Sequence, residues 1–497
     1  MRFHASARRV GPYGWLAAMG AAYTVVFSWL AIARYRSFWA GRFDLGNMTQ
    51  ALWSTAHGRP LETTDLLGEQ FVRLGAHVDP LLVVFTPLVW TGHLPQALLI
   101  AQAVCVAAGA LPAFWLGRRW LGDDRFGLVA AAVWLLYPPL QWPVLTDFHP
   151  VTVAAPLLMF CIWAAEERRW VVLAVCAPLA ALGKEQVGLA LAMLGLWLAV
   201  RGARRAGALL AVGGVAWSLF AVLVVIPHFN RGDGSAFVGR YEALGESEGD
   251  VLRTLLTRPW EALALLAHVD RLTYLAMLLL PLLLLPLAAP LLAAGALPDL
   301  AINMLSGLSN QRQIHFHYAA VISPFLIAAA LLGLARLRER GRPRVLDGLL
   351  GDDRRLMGAV LGAPVVAGLL VGPFAWWVGS PFVSRARADL YSVGAHAAVS
   401  AEAVALVPPD APVSAGNTLG AHLSQRRVIY MFPVIRNARW VVVDRTRPYV
   451  GDHQDPAEHA IQLNALRADP AWRVVFDRDG VMVLRRASER PFSDASP

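Results

Sequence analysis

Lysine is almost missing from this sequence. Of 44 basic residues all but one are arginine, and the exception, Lys184, sits in the apolar run VVLAVCAPLAALGKEQVGLALAM. Charge of either sign is scarce, at 16% of residues against 57% hydrophobic. That balance excludes a disordered, self-repelling chain. The formal charge of +9 is no nucleic-acid signal, because the arginines cluster in short loops between apolar runs, where they set membrane orientation. Only Cys105, Cys161 and Cys176 carry thiols, and all three fall in apolar segments. That excludes a disulfide framework and a cysteine metal site.

What the chain has in abundance is apolar sequence, in runs that reach the roughly 20 residues needed to cross about 30 Å of hydrocarbon. The first runs from about Tyr13 to Ala33, after Arg2, Arg8 and Arg9. Its length argues for a retained helix rather than a cleaved signal sequence, with the N-terminus cytoplasmic. Further spans are expected over Leu94–Leu116, Arg125–Tyr137, Val151–Ala165, Ala206–Pro227, Ala319–Leu337 and Leu356–Val378. Residues 170–200 read as a helical pair turning at 183–186, and 272–305, with Pro281, Pro286, Pro290 and Pro298, as a second. The expectation is a polytopic α-helical membrane protein of about 11 transmembrane helices. Arginine clusters at 118–119, 166–169, 201–205 and 336–355 would be cytoplasmic.

From about Ser380 short β-branched runs alternate with turns, and Asp479-Gly480 is a hairpin signal. The domains expected are therefore 1–379, a membrane domain with a first outer loop at 34–93, and 380–497, a small extracytoplasmic α/β domain. The protein would be a multi-pass protein of the cell membrane.

The polar motifs map to one side of this topology. Asp44 opens an amphipathic helix through Trp53; Pro80–Trp90 is too short to span and reads as a juxtamembrane or re-entrant helix. His77 with Asp79, Asp147 with His149, Lys184 with Glu185, and Arg312, His315 and His317 of SNQRQIHFHY all fall outside. Ionisable groups at membrane depth are costly and face a cavity or a partner. Lys184 and Glu185 also read as a mutual ion pair, and Asp147 as a cap on the helix that follows. His77, Asp79, Asp147 and His149 offer the N/O ligands of a divalent-metal site if they converge; otherwise no cofactor is implied. In the C-terminal region Asn417, His422, Arg426 and Arg427 read either as an anion-contacting accessory surface or as structural caps.

In order, FDLGNMTQALW, HVDPLLVVFTPLVW, DFHP, GKEQ, HFHYAAVISPFL and SAGNTLGAHLSQRRVIYMFP resemble the bacterial integral-membrane family called domain of unknown function 2079. That family is similar to the type C glycosyltransferases, which use polyprenyl-phosphate sugars and a carboxylate in the first outer loop. The resemblance implies a sugar transferred from a lipid-linked donor to a cell-envelope acceptor at the bilayer. Asp44 would be the catalytic carboxylate, with Asp79 or Glu62 as its acidic partner. Lys184 would hold the phosphate, assisted by Arg312 or Arg73, and Glu185, His77, Asp147, His149, His315 and His317 would line the substrate site. A transporter or lipid flippase, and a non-catalytic membrane scaffold, are the alternatives from other classes.

Overall fold

The computed structural model describes residues 10–230, 238–339, 352–380, 387–447 and 456–487. Arg2, Arg8, Arg9 and most of the basic stretch 336–355, on which the expected orientation rests, lie outside them. Among the described residues three helices are long and apolar enough to cross a membrane: Pro12–Arg36, Leu94–Leu121 and Arg204–Phe229. Two bent pairs qualify jointly, Asp124–Leu136 with Pro138–Leu145 at 46° and Pro259–Leu266 with Val269–Leu282 at 70°, giving up to five spans. The expected count of about 11 is not confirmed. Several of the remaining apolar runs make shorter helices, among them Pro150–Glu166, Trp170–Ala181, Val187–Val200 and Pro290–Leu305.

Proline explains much of the shortening, since it lacks the N–H that the helix ladder needs and clashes with the preceding turn. Between Leu280 and Ala288 the chain breaks into two 3-10 turns, each with a proline in its first turn. Leu283 and Leu284 between them take positive φ of 54° and 58°. The Pro80–Thr91 segment, read from sequence as juxtamembrane or re-entrant, is a 12-residue 3-10 helix.

The chain divides into two compact units. The first comprises residues 1–30, 76–81 and 99–387 and is helical. The helices Val187–Val200 and Arg204–Phe220 meet in it at a close joint made by glycine. A Cβ added to Gly188 would meet the Gly214 carbonyl oxygen at 2.3 Å, and one on Gly195 the Gly207 oxygen at 2.5 Å. Two helices with no water between them gain by close backbone approach, which small residues permit. This joint fixes the helix that begins directly after Gln186. Gly195→Ala is expected to destabilise the protein by at least about 1–3 kcal/mol, because the methyl's neighbours are backbone atoms, which cannot rotate away. Thermal unfolding in detergent would read this as a lowered midpoint. Gly213→Ala on the partner helix Arg204–Phe220, where an added Cβ meets nothing within 4 Å, serves as the control and is expected not to lower the midpoint.

The second unit comprises 31–75, 82–98 and 388–497. It contains a small hairpin, β1 (Glu62–Thr64) antiparallel to β2 (Gln70–Val72). Its main sheet has β3 (Val413–Ala415), β4 (Ile429–Met431), β5 (Trp440–Asp444), β6 (Trp472–Arg478) and β7 (Val481–Arg486), in the order β4-β3-β5-β7-β6. β3 runs parallel to β4 and β5, while β7 is antiparallel to both β5 and β6. The Asp479-Gly480 turn joins β6 to β7 with φ of 49° and 79°, the doubly positive geometry that Asp-Gly favours. The sheet's core includes Val413, Ile429, Val442 and Val483.

The first polar stretch of the sequence belongs to this unit. Arg42–Gly46 forms a π-turn that runs into the helix Asn47–Ala56, so a helix stands where the apolar spacing put one. Arg42 is 1% exposed, and its Nη2 donates to the carbonyls of Thr64 (2.5 Å) and Ile429 (3.0 Å). Gln50 Nε2 donates to Thr64 Oγ1 (2.9 Å) and to the Arg427 carbonyl (2.8 Å). These bonds hold residues 42–64 to β4 and the loop before it.

Candidate functional site

The site in the first unit starts at the turn Gly183–Gln186, between the helices Trp170–Ala181 and Val187–Val200. Gly183 is required there by crowding, since a Cβ would meet that of Ala154 at 2.7 Å. The segment 77–81 clamps the turn from a hundred residues away. His77 Nδ1 lies 3.1 Å from Glu185 Oε1, Val78 N–H donates to Glu185 Oε2 (3.0 Å), and Leu81 N–H donates to the Leu182 carbonyl (2.9 Å). Ser218 Oγ donates to the Glu185 carbonyl at 2.7 Å. Val78 packs with Ala221 and Ile226, which fixes the clamp's apolar side.

With both carboxylate oxygens engaged, Glu185 is a fixed anion. Burial alone would raise its pKa, but the charge and hydrogen bond of His77 and the neighbouring Lys184 outweigh this and hold it at about 2. The unfolded chain takes up a proton near 4.5, so the folded state gains stability above that pH. The gain is lost as pH falls through about 2. His77→Ala removes the largest opposing partner, so the acid limb of a plot of unfolding midpoint against pH is expected to move to higher pH. An unmoved limb would mean that the pair does not set it.

Lys184 lies beside this anion with its Nζ 5.9 Å from the Tyr318 ring centre. Burial lowers its pKa, Glu185, Asp79 and Asp299 raise it, and Arg240 lowers it. Asp79 and Asp299 are each 3% exposed. Gln186 Nε2 donates to Asp299 Oδ1 (3.4 Å), while Asp299 Oδ2 is buried with no hydrogen-bond partner among the described residues.

DFHP and HFHY come together in the same unit. The rings of His149 and His317 stack at 3.9 Å, and His315 lies 4.5 Å from the Trp142 ring, with its carbonyl accepting from Thr146 Oγ1 (2.6 Å). Burial pushes His317 well below its ordinary pKa, and His149, Lys184, His77 and Arg240 add to this. Gln102 braces DFHP, its Nε2 donating to the Asp147 carbonyl and its Oε1 accepting from His149 N–H, both at 2.9 Å. Asp147 is buried and has a φ of 95°, a backbone state that costs energy and is held by its surroundings. It does not cap the helix Pro150–Glu166; His149 takes that position.

Other expected residues lie elsewhere. Arg312 is engaged by Asp270 Oδ2 (2.6 Å) and by the Ser306 and Leu308 carbonyls. Among the described residues no group of three or more His, Cys, Asp or Glu side chains is placed to hold a metal ion. The four ligands considered for a divalent metal are arranged otherwise, with His77 on Glu185 and His149 on His317. Asp299, Arg240, Gln186 and Tyr318 were missed by sequence reasoning. A carboxylate in the apolar run LLAAGALPDLAINML was the available signal for Asp299.

Asp44, Glu62 and Arg73 belong to the second unit. Asp44 is half-buried on the π-turn, next to Phe43, whose N–H donates to Asn417 Oδ1 (2.9 Å). The C-terminal polar residues serve this same unit. His422 stacks on Tyr35 and Phe38 at 4.0 and 3.9 Å, and its Nε2 pairs with the Tyr35 carbonyl. Burial pushes its pKa down to about 3 against that bond. Arg426 donates to the carbonyls of Leu423, Pro408 and Ala411.

The sequence pattern of domain of unknown function 2079, described as a predicted membrane protein, matches residues 34–483. The chain belongs to that family. The domain 2079 match takes in Asp44, all four motifs of the helical site and β7 as far as Val483. The family's description carries membrane character and names no reaction. No curated protein matches the chain.

Proposed function

We propose that the protein is a membrane enzyme transferring a sugar from a polyprenyl-phosphate donor to an acceptor hydroxyl. The observation that carries this reading is the chain's one lysine, buried at a turn that 77–81 clamps through Glu185. Glu185 is occupied by the clamp, so Lys184 and Arg240 supply cationic charge for a phosphate, the group that must be stabilised as it leaves. Tyr318, His149 and His317 provide ring faces suited to a sugar. In the reaction the acceptor oxygen bonds to the anomeric carbon and the bond from that carbon to the phosphate oxygen breaks. The lipid phosphate leaves with the electron pair, and the acceptor's proton passes to a carboxylate.

Asp44 is the proposed base, with Asp79 as the second carboxylate. Asp44 and Lys184 belong to different units, and each assignment has its own test. Among the described residues no side chains are assembled for a metal, and no step is assigned to one. The cell-envelope acceptor and outward-facing orientation belong to the same proposal. Turnover of a radiolabelled polyprenyl-phosphate sugar by purified protein in nanodiscs tests it. Absence of turnover across acceptor classes, with no donor binding, would overturn it.

Transport is the second reading, and Asp299 favours it. A buried carboxylate with one oxygen unpartnered, in an apolar helix, is a group that a proton pathway uses. Proton-coupled uptake by reconstituted vesicles, abolished by Asp299→Asn, would favour this reading over transfer.

A further inference from the structure

Two helices of the first unit, Glu248–Thr257 and Pro259–Leu266, leave large apolar side chains uncovered. Leu252 is 57% exposed, Leu256 74%, Trp260 61% and Leu263 64%. Leu252 and Leu256 are four residues apart, Trp260 and Leu263 three, so each pair shares one face of its helix. Thr254, between the two leucines, is 2% exposed, and its Oγ1 accepts from Arg258 Nη2 at 3.2 Å. Pro259–Leu266 also packs on Leu297–Leu305, the helix that carries Asp299.

We propose that residues 248–266 lie along the headgroup region of the bilayer, with Leu252, Leu256, Trp260 and Leu263 turned to the acyl chains. The inference is independent of the reaction proposed above. Three observations point to lipid as the occupant of this face. First, the axis bends by 70° between Pro259–Leu266 and the apolar helix Val269–Leu282. At the roughly 20° tilt usual for a membrane helix, this sets Pro259–Leu266 at about 50° to 90° from the bilayer normal. Second, the apolar surface continues onto the next helix, where Val269 is 78% and Leu272 55% exposed. Third, the face combines leucines with a tryptophan, the side chain that settles at headgroup level, while Asp250 and Arg253 supply a polar flank. Arg258 and Glu261 pair at 3.1 Å, and 248–266 has no excess of basic residues. The contact therefore rests on apolar area, and a neutral lipid suffices as the probe. Tyr241 OH donates to the Ile302 carbonyl at 3.2 Å and Gly307 N–H to the Arg240 carbonyl at 2.6 Å. The helix held against this membrane-bound strip is thus also the one to which Arg240 and its neighbour are fastened.

Single cysteines at Leu252, Leu256 and Leu263 are spin-labelled in the full chain, with Cys105, Cys161 and Cys176 replaced by alanine. The protein is placed in nanodiscs of phosphatidylcholine. Power saturation against oxygen, which partitions into lipid, and a nickel chelate, which stays in water, gives the depth of each label. Val215, 41% exposed on the long apolar helix Arg204–Phe229, supplies the deep reference. The three labels are expected to favour oxygen, at depths equal to within about 5 Å and shallower than Val215. A label at Asp250 is expected to favour the chelate. Preference for the chelate at all three leucine positions would mean a solvated loop. A steady deepening by about 16 Å from 252 to 263 would mean a segment that runs into the bilayer. Exclusion of both reagents would mean a protein partner or a second copy on this face. Each of these three results overturns the proposal.

Discussion

Lys184→Met is expected to abolish binding of a lipid-phosphate donor, and Lys184→Arg to keep part of it. A hydrogen bond between charged partners is worth about 1.5–3 kcal/mol in exchange for water. Loss of one cation from a buried phosphate site is therefore expected to weaken binding by about 10- to 100-fold or more. Arginine restores the charge as a planar fork where an ammonium fitted as a point, so partial rescue separates charge from shape. The competing explanation is an ion pair that merely balances Glu185. Glu185 already receives His77 and the Val78 N–H, so the carboxylate keeps its partners when lysine is lost. A purely structural role thus predicts an altered unfolding midpoint with unchanged donor affinity. Titration of a fluorescent polyprenyl phosphate into wild-type and Met protein, beside thermal unfolding of both, distinguishes the two.

Asp44→Asn is expected to lower turnover at least about 100-fold, with normal folding and donor binding, since a positioned base contributes roughly 10²- to 10⁴-fold. The effect should fall on the chemical step, so single-turnover rates drop while the donor dissociation constant holds. The structure sharpens this test. A helix-capping role would cost about 1 kcal/mol when lost, but the helix Asn47–Ala56 has Gly46 at its N-cap, with no side-chain capping bond. Asp44 sits two residues earlier, inside the π-turn. Asparagine keeps the side chain's size and cannot take the acceptor's proton. Near-normal turnover would remove Asp44 from the reaction, and Asp79→Asn would then be the next carboxylate to measure.

Parts of the site were legible before any fold was known. HVDP, DFHP, GKEQ and HFHY each place ionisable or aromatic groups in apolar surroundings, where their cost marks them. In the first unit His77 does meet Glu185, His149 does meet His317, and Lys184 does lie by Tyr318. Their pairings were not legible. The sequence puts Lys184 next to Glu185 and suggests a pair, yet the carboxylate is clamped by residues more than a hundred positions earlier. Arg312 and His315 sit in the same polar segment and do different work, one on Asp270 and the other against Trp142. Arg42, fully buried in the second unit, carried no signal of its role, because an arginine after a membrane helix ordinarily reads as an anchor.

By itself the sequence determined the solvent and the local backbone. Long apolar runs with few charges require lipid on the outside and hydrogen bonds satisfied within each helix. Asp-Gly between two β-branched runs requires a tight hairpin. These are local requirements, met by residues a few positions apart. Only the tertiary structure decided which helices stayed short, that residues 31–75 belong with the C-terminal sheet, and that Glu185 faces His77. Those outcomes depend on glycine contacts between neighbouring helices, on prolines that stop a ladder, and on bonds spanning a hundred residues or more. Such energies are gained only when distant segments arrive together, so no window of sequence contains them.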